Sequence, residues 1–539
     1  MFRAAAKQCL SQSRIVTPTN KVTTTSLFNQ NVNTTKSIHY NKYFNNNNTL
    51  FNNKLISSPL YYSTNNNHNN SNNNEYQQQQ QQQNNNNNNS NFKYMVPLLG
   101  AGFIIPLFFL AVEDGEVAQP PPNIDIQKIY SSKSTSELMF SFFILKLCTF
   151  KIFSENGSAF INFANNWGLS VPMNFIVKHT FFKQFCAGET IDETEEFTKK
   201  LNDQGIGTIL DYSVEDKDGT PESFDHVASQ IQKTIAIAAK YPDYSFSCVK
   251  VTGLTGTKLM EKLNQIVLSA IQQKQQLPAD FITSPTAIYA ASNLLSDSEK
   301  VEMVQLMNRL DSIFAECYRS NVPILVDAEQ SYYQAAIHHI AIAFSAKYNK
   351  SKPLIYNTYQ MYLSQGLNML NDHLALSKQL GFKLGAKVVR GAYMVSERKR
   401  AEDHGYPSPI LPNIQETHHS YFTAMETLLK DSSNIGIMFA THNEQSVNFG
   451  VERMKQLNID PKNPNIQFGQ LFGMADFLSL NLVNQNQRVF KYVPYGPVQE
   501  VLPYLIRRMQ ENRGFIGSNS ATELLFLKKE IKRRLFGSK

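Results

Sequence analysis

The sequence predicts an α/β fold, a (β/α)8 TIM-like barrel preceded by an N-terminal helical arm and a disordered Asn/Gln-rich leader. The chain has 539 residues, more than the roughly 250–300 at which one hydrophobic core stops growing. Short runs rich in Val, Ile and Tyr alternate with longer amphipathic stretches, as in a parallel sheet with crossover helices. There are eight such runs, the number that closes this barrel. An open doubly wound sheet is the competing fold.

The charge and cysteine content exclude several classes of protein. The net charge of +7 comes entirely from the first 74 residues, which carry seven basic side chains and no acid. The rest of the chain is neutral, so we expect no nucleic-acid partner, because such domains usually carry a basic excess. The five cysteines form no C-x-x-C pair, which argues against a disulfide framework or a zinc ribbon and favours a reducing compartment.

The leader divides into two parts by composition. Residues 1–45 contain Arg and Lys, are rich in Ser and Thr and lack acids, which is typical of a mitochondrial transit peptide. Residues 46–94 include the runs Gln77 to Gln83 and Asn84 to Asn89, and such polar tracts cannot offset the entropy of ordering. We interpret this part as a low-complexity disordered spacer, and a prion-like association segment is the alternative.

Residues 95–112 form an uncharged run that just reaches the length needed to span a bilayer. Pro97, Pro106, Gly100 and Gly102 make it a poor helix. A membrane anchor and a buried or interfacial segment therefore both stay open. Residues 113–133 contain three successive prolines and are predicted to be a linker.

The body begins with a predicted helical arm at 134–200, where apolar residues recur at helical spacing. The predicted barrel spans 201–539, with a helical insertion at 254–320 whose buried stripe includes Leu294, Leu295, Val301, Val304, Leu306, Met307 and Leu310. The predicted strands are Gly207–Tyr212, Ser245–Thr252, Pro323–Asp327, Leu354–Gln360, Lys387–Gly391, Ile435–Thr441, Ile466–Gln470 and Arg488–Val493.

Large functional side chains follow or end these strands, where a barrel of this kind builds its active site. They are Asp211, Tyr212, Lys250, Asp327, Glu329, Gln360, Arg390, Tyr393, Thr441, His442, Asn443, Gln470, Tyr492 and Tyr495. Asp211 and Gln470 taken singly are typical of ordinary caps. The set as a whole indicates a site.

A helix predicted at Pro497–Asn512 carries Arg507 and Arg508 side by side and Glu511 one turn later. Paired guanidinium groups bind carboxylate or phosphate in a fixed geometry. The alternative is that they only complement the helix dipole, but Tyr492 and Tyr495 crowd the preceding loop. With Lys250, Lys387 and Arg390, the mouth holds at least five cations, which favours a small carboxylate substrate with a pyrophosphate-bearing cofactor.

Two common cofactor sites are absent from the sequence. No dinucleotide fingerprint occurs, so any FAD must bind outside a Rossmann domain. No H-E-x-x-H motif occurs. In the doublets His338-His339 and His418-His419 the two histidines are at adjacent positions of a helix and point in different directions, so we expect no metal. These histidines are more simply explained as solvent-facing or helix-packing residues.

The segment Lys387-Val-Val-Arg390-Gly-Ala-Tyr393 resembles the proline dehydrogenase family. The resemblance continues through Glu397-Arg398, Ala440-Thr-His-Asn443, Phe468-Gly-Gln470-Leu-Phe-Gly-Met474, Tyr492-Val-Pro-Tyr-Gly-Pro-Val498 and Arg507-Arg508. It covers roughly 182–516 in one order. It implies an FAD enzyme with a distorted barrel that oxidises L-proline to Δ1-pyrroline-5-carboxylate by hydride transfer to flavin N5. Electrons would then pass to a membrane quinone.

The resemblance also implies roles for individual residues. Lys250, Arg507 and Arg508 would bind the proline carboxylate, Tyr492 would cover the ring, and Asp327 and Tyr393 would shape the pocket. The residues expected to contact FAD are Gln360, Lys387, Arg390, Thr441, His442, Asn443 and Glu511. For Glu511, the resemblance implies either that it orients its arginine neighbours or that it contacts a flavin sugar hydroxyl. Bacterial members have Arg and Lys at the first and fourth positions of the Lys387 motif, exchanged relative to this chain. Which of Lys387 and Arg390 reaches flavin N5 therefore stays open.

The resemblance and the leader together predict a mitochondrial protein on the matrix side, associated with the inner membrane. Two other functions stay open. One is a Schiff-base lyase on the same barrel that uses Lys250. The other is a catalytically silent, membrane-tethered scaffold, against which the intact Tyr492, Arg507 and Arg508 argue.

Overall fold

In the computed structural model, which describes residues 125–150, 170–213, 219–273, 279–514 and 519–537, the sheet is a closed, all-parallel barrel in chain order. β1 pairs with both β2 and β8. The predicted (β/α)8 barrel is thus confirmed, and the open sheet is wrong. The strands are β1 (Ile206–Tyr212), β2 (Ser245–Val249), β3 (Ile324–Val326), β4 (Ile355–Gln360), β5 (Gly385–Val389), β6 (Gly436–Ala440), β7 (Ile466–Leu471) and β8 (Val489–Tyr495).

The strands are buried on both faces, as expected where helices cover a parallel sheet. Every residue of β1 and of β8 is buried, and the two strands stay in register from Ile206 beside Val489 to Tyr212 beside Tyr495. One apolar cluster comprises Ile209, Phe246, Cys248, Leu325, Tyr356, Met438, Phe490 and Tyr492. Because Tyr492 belongs to this cluster, the packed core reaches directly to the candidate site.

The helices described ahead of the barrel are α1 (Ile126–Ile129), α2 (Thr135–Thr149), α3 (Ser170–Val177) and α4 (Ile191–Asn202). Ser134 and Glu137 form a capping box that starts α2. A π-helical turn, Lys178–Phe182, and a short helical turn, Lys183–Phe185, follow α3.

The remaining helices follow the strands and cover the barrel. They are α5 (Pro221–Ala238) after β1; α6 (Thr257–Gln273), α7 (Ala279–Thr283), α8 (Pro285–Ala291) and α9 (Asp297–Ser320) after β2; α10 (Ser331–Tyr348) after β3; α11 (Gly366–Leu380) after β4; α12 (Met394–His404) and α13 (Ile414–Leu429) after β5; α14 (Glu444–Gln456) after β6; α15 (Asp476–Asn484) after β7; and α16 (Val498–Gly514) and α17 (Asn519–Phe536) after β8. Both α16 and α17 pack against α2.

The buried stripe predicted for the insertion is partly wrong. Leu295, Leu306, Met307 and Leu310 are buried, but Leu294, Val301 and Val304 are exposed. The buried face of α9 instead runs through Met303, Leu306, Leu310, Ile313 and Phe314. Helical rotation places positions 301 and 304 away from that face.

The predictions for 1–45, 46–94 and 95–112, and for most of the 113–133 linker, fall outside the described residues. Within the described part of the chain, no helix combines the length and apolar character needed to cross a membrane.

Candidate active site

Four predicted substrate and cofactor residues meet inside the barrel mouth. Lys387 donates from Nζ to Asp327 Oδ1 at 2.7 Å, and Tyr492 donates from its hydroxyl to Asp327 Oδ2 at 2.7 Å. Lys250 donates from Nζ to the Tyr492 hydroxyl at 3.0 Å and lies 3.7 Å from Asp327 Oδ2. All four side chains are buried. We refer to Lys250, Asp327, Lys387 and Tyr492, together with Asp211, as the pocket cluster.

The barrel explains why these residues converge although 242 positions separate Lys250 from Tyr492 along the chain. Lys250 and Asp327 directly follow β2 and β3, whereas Lys387 and Tyr492 point inward from β5 and β8. Both ammonium groups lie over the Tyr492 ring, at 5.6 Å for Lys250 and 5.1 Å for Lys387. Parallel strands bring their carboxyl ends to one face, so the residues there share one pocket.

Asp211 at the end of β1 completes the pocket cluster. Its Oδ2 accepts hydrogen bonds from Lys250 Nζ at 2.7 Å and from Ser213 Oγ at 2.8 Å. The carboxylate is 1% exposed, so Lys250 neutralises a charge that water cannot reach. The interpretation of Asp211 as an ordinary cap misses this pair, because the sequence does not show which lysine faces it.

Electrostatics fix the protonation states in the pocket cluster. Burial alone would raise the pKa of Asp327, but Lys387 and Lys250 outweigh it and hold that pKa at about 2. Burial, reinforced by Asp211 and Asp327, raises the pKa of Tyr492 well above its usual value. Asp327 is therefore an anion and Tyr492 a neutral hydrogen-bond donor at physiological pH.

Arg390 organises a second group at the ends of β5 and β6. Its Nη1 donates to Thr441 Oγ1 at 2.8 Å, its Nη2 donates to Ser446 Oγ at 2.8 Å and lies 3.1 Å from His418 Nδ1. The guanidinium carbon lies 4.3 Å from the centre of the Tyr421 ring. Burial lowers the pKa of Arg390, although an arginine stays charged.

His442 and Asn443 continue this edge. The backbone N–H of Leu471 donates to His442 Nε2 at 2.9 Å, which leaves the proton of a neutral ring on Nδ1. Burial, helped by Lys491 and Arg508, lowers the pKa of His442 to about 3, so the ring is neutral. Asn443 caps α14 by accepting from Ser446 N at 2.9 Å, and its own N–H donates to Thr441 Oγ1 at 3.0 Å.

Arg508 on α16 supplies a third part of the site. Its Nη2 donates to Glu511 Oε1 at 2.6 Å, and its guanidinium lies 4.8 Å from the centre of the Tyr504 ring. Arg508 is buried and its neighbour Arg507 is partly buried. The positive charge of Arg508 also contributes to the lowered pKa of His442, which follows β6.

The remaining predicted residues take individual positions. Gln360 donates from its side-chain amide to the carbonyl oxygen of Glu329 at 2.8 Å, and Tyr393 is the N-cap residue that directly precedes α12. Gln470 donates to Thr441 O at 3.3 Å and accepts from Ser479 Oγ at 3.0 Å. These two contacts of Gln470 are those of a structural residue.

The donor set is compatible with a phosphate-bearing cofactor beside a small anion. The Nε–H groups of Arg390 and Arg508 are buried without a hydrogen-bond partner among the described residues. An unsatisfied buried donor costs about 1–3 kcal/mol, so each is a natural contact for an anionic ligand. The neutral His442, which follows β6, adds an Nδ1 donor.

Comparisons with known proteins agree on one family. The family model for proline dehydrogenase matches residues 194–520. Proline dehydrogenase 1, mitochondrial, from Dictyostelium discoideum is 55% identical over 440 residues, which cover 77% of each chain. Hydroxyproline dehydrogenase from Xenopus laevis is 30% identical over 420 residues, covering 76% of this chain and 90% of that protein.

A solved structure supports the same fold. Proline utilization A from Bdellovibrio bacteriovorus, inactivated by N-propargylglycine, aligns with a TM-score of 0.55 at 18% identity. The alignment covers 76% of this chain and 42% of that longer one, and at this identity it bears on the fold alone.

Proposed function

The chain belongs to the proline dehydrogenase family, and from that membership we propose that it oxidises L-proline to Δ1-pyrroline-5-carboxylate with FAD as its cofactor. Proline loses a hydride from the ring carbon beside nitrogen and a proton from the nitrogen. The observation that carries the proposal is the pocket cluster, in which two lysines, a buried Asp327 and the Tyr492 hydroxyl meet at 2.7–3.0 Å.

The charges of the pocket cluster explain how a proline anion would be held. Lys250 and Lys387 are balanced by Asp211 and Asp327, so a substrate carboxylate needs further positive charge. Arg507 and Arg508 supply it from α16, with Lys250 adding to the field. Tyr492 would cover the apolar ring, and Tyr393 would close the pocket at the start of α12. Anchoring the carboxylate positions the reacting carbon.

Seven residues would hold the cofactor: Gln360, Lys387, Arg390, Thr441, His442, Asn443 and Glu511. FAD, when bound, would supply the two-electron acceptor, taking hydride at N5 and passing electrons to a membrane quinone. The contact of Lys387 with Asp327 supports a place for Lys387 beside the substrate. The contacts of Arg390 with Thr441 and Ser446 support a place for Arg390 farther along the cofactor.

The chain's own groups set the protonation needed for hydride loss. The amine must be neutral, and the anionic Asp327 would accept a hydrogen bond from its N–H. With Asp327 held at a pKa of about 2, the carboxylate is a poor base, so solvent would take the amine proton. The cations near the cofactor would stabilise negative charge that develops on reduction.

We also propose a mitochondrial location, since Proline dehydrogenase 1 of Dictyostelium discoideum is named mitochondrial. Residues 1–45 would serve as the transit peptide. Matrix-side association with the inner membrane would bring the enzyme to its quinone acceptor.

An absorption spectrum under anaerobic conditions tests the proposal. We expect yellow protein whose flavin absorbance bleaches on adding L-proline and returns on adding a soluble quinone. Because a relative is a hydroxyproline dehydrogenase, trans-4-hydroxy-L-proline is the comparison substrate. Folded, colourless protein that cannot be reconstituted with FAD would contradict the proposal.

The arginines of α16 offer a sharper test of substrate binding. We expect Arg508→Met to raise the proline KM by roughly 10- to 100-fold with a much smaller change in kcat, because a charged hydrogen bond of about 1.5–3 kcal/mol is lost from substrate and transition state alike. Steady-state kinetics check this, and an unchanged KM would refute the assigned role. Lys528→Met, a buried lysine of α17, is the matched control.

A further inference from the structure

Glu397 is a wholly buried carboxylate that the proposed reaction does not use. It lies in the first turn of α12 and is 0% exposed. Its Oε1 accepts a close hydrogen bond from the backbone N–H of Ser331, and its Oε2 accepts from Ser331 Oγ at 2.6 Å. Both carboxylate oxygens are thus directed at one residue of another helix.

Ser331 is the first residue of α10, and Glu397 caps that helix from outside. The preceding residue, Gln330, makes no capping hydrogen bond with its side chain. The first N–H groups of a helix have no partner within it and favour a negative charge. Glu397 therefore supplies a cap that the local sequence of α10 lacks.

The loop that Glu397 holds is the one that carries Asp327. Asp327 is bound at one end by Lys387 and Tyr492, and Ser331 is bound at the other by Glu397. Between them, Glu329 accepts from Thr252 N at 3.2 Å and receives the Gln360 amide on its carbonyl oxygen. The start and the middle of this short loop are thus each bound by two residues, and its end is bound by Glu397.

The other end of the link is Tyr393. Glu397 N donates to Tyr393 O at 2.9 Å in the first turn of α12, so the residue that binds Ser331 is also hydrogen-bonded to the backbone of the tyrosine. One turn later, the Arg400 guanidinium stacks 3.8 Å from the centre of the Tyr332 ring and pairs with Glu261 at 3.2 Å. The start of α12 is thereby docked on the start of α10.

We infer that Glu397 is a positioning residue, which holds the Asp327 loop and Tyr393 in one fixed arrangement on two sides of the substrate pocket. This inference rests on the proposed function. Misplacement of a positioning group by about 1 Å can cost about 100-fold in rate. Removing the carboxylate takes away both hydrogen bonds from Ser331 to α12 and leaves the Arg400 contacts to hold the two helices together. Proline binding should therefore weaken even where the barrel stays folded.

The test compares three variants with a capping control in the full chain. We expect Glu397→Ala to raise the proline KM about tenfold or more, Glu397→Gln to restore most of the affinity because its amide oxygen still accepts from Ser331, and Ser331→Ala to raise KM about two- to fivefold. Glu299→Gln alters another helix-capping carboxylate, whose described partners are Ser296 and Lys262, and should leave KM unchanged.

Flavin content and thermal midpoint are measured on each variant, with kinetics far below the midpoint. An unchanged KM in Glu397→Ala, or Glu397→Gln as impaired as Glu397→Ala, overturns the inference. If Glu397→Ala does not fold, an unchanged KM in Ser331→Ala overturns it instead. Failure of the wild-type protein to bleach with proline would refute the proposed function; the positioning role fails alone only when the wild type turns over and the variants match it.

Discussion

Two largely buried charge clusters meet at neighbouring residues of β8, and they differ in their surroundings. Tyr492 points into the barrel and joins the pocket cluster. Lys491 points outward, where its Nζ donates to Met474 O at 2.7 Å and pairs with Asp476 at 2.8 Å. Alternate residues of a strand face opposite sides of a sheet, so one strand serves both clusters.

The outer cluster consists of Lys491, Asp476, Lys133, Glu523 and Tyr130. Lys133 pairs closely with Asp476, and Glu523 accepts from the Tyr130 hydroxyl at 2.8 Å and from Phe477 N at 3.3 Å. Its members come from the segment before α2, from α15, from β8 and from α17. The cluster therefore joins the two ends of the described chain to the barrel wall.

The comparison shows that charge content alone does not identify a functional site. Each cluster has two lysines, two acids and a tyrosine. The pocket cluster lies at the carboxyl ends of the strands, whereas the outer cluster connects β8 with α15, α17 and the segment before α2. Buried ion pairs rarely stabilise a fold more than apolar side chains would, so the presence of buried charge does not by itself tell the two roles apart. From the location of each cluster we infer a ligand-binding role inside the barrel and an architectural role outside it.

The largest expected effect separates the clusters by activity. Lys250→Met removes positive charge beside the substrate and leaves the Asp211 carboxylate buried without its ionic partner. We expect kcat/KM for proline to fall about 1000-fold, or about 4 kcal/mol of transition-state stabilisation. Lys491→Met, assayed in parallel, should lose less than about tenfold. Equal losses in both variants would contradict the division of roles.

The second effect separates them by stability. Lys491→Met leaves Asp476 with Lys133 as its remaining described cation and removes the donor to Met474 O. We expect the free energy of unfolding to fall by about 3 kcal/mol, because one partner of a buried pair is lost. Urea denaturation measures the change, with Lys462→Met on an exposed loop as the control. A midpoint equal to the wild type would show that the outer cluster is dispensable.

The smallest effect concerns pH. Burial, with Asp476 adding to it, raises the pKa of Glu523 from 4.5 to about 7. Between these values the native state retains a proton that the unfolded state has released, so the free energy of unfolding falls as pH rises from about 4.5 to 7. Glu523→Gln imitates the protonated form. We expect it to stabilise the protein by about 1–3 kcal/mol at about pH 8 and to have little effect at about pH 4.5.

Thermal melts across this range provide the measurement. A Glu523→Gln variant that is less stable than the wild type at every pH would show that the carboxylate is bound as an anion. Asp372→Asn is a useful comparison, because burial raises the pKa of that carboxyl to about 6 at a site outside both clusters.

The sequence is sufficient to predict the barrel and the approximate positions of its eight strands, because both depend on local pattern. The ends of several strands differ by two or three residues, as in β2, which ends at Val249 and not at Thr252. Lys250, Asp327 and Tyr492 are expected at one mouth and lie there in contact. The family resemblance groups Lys387 with the residues expected to contact the cofactor, and that role stays a prediction. In the structure, the described hydrogen-bond partner of Lys387 is Asp327. Strand periodicity predicts which face of the sheet a side chain is on, but not which side chain it contacts there.

Other contacts depend on distances that no motif encodes. The sequence favours a solvent or packing role for His418, yet this residue lies 3.1 Å from Arg390 Nη2. Glu397 stands out in the sequence only as part of a motif. Nothing in that motif indicates its partner, Ser331, which lies 66 positions away. Tyr130 and Glu523 are separated by 393 positions. Such pairs follow from the closure of the barrel and the packing of the terminal helices on it.

The adjacent positions of Lys491 and Tyr492 constrain which changes this chain can accept in β8. Inserting or deleting one residue within β8 would exchange the two side chains, sending the ammonium group into the pocket and the phenol into the wall. Either change would disrupt the pocket cluster and the outer cluster in one mutational event. Substitutions within β8 can therefore be accepted, whereas we expect insertions and deletions only in the loops at its ends.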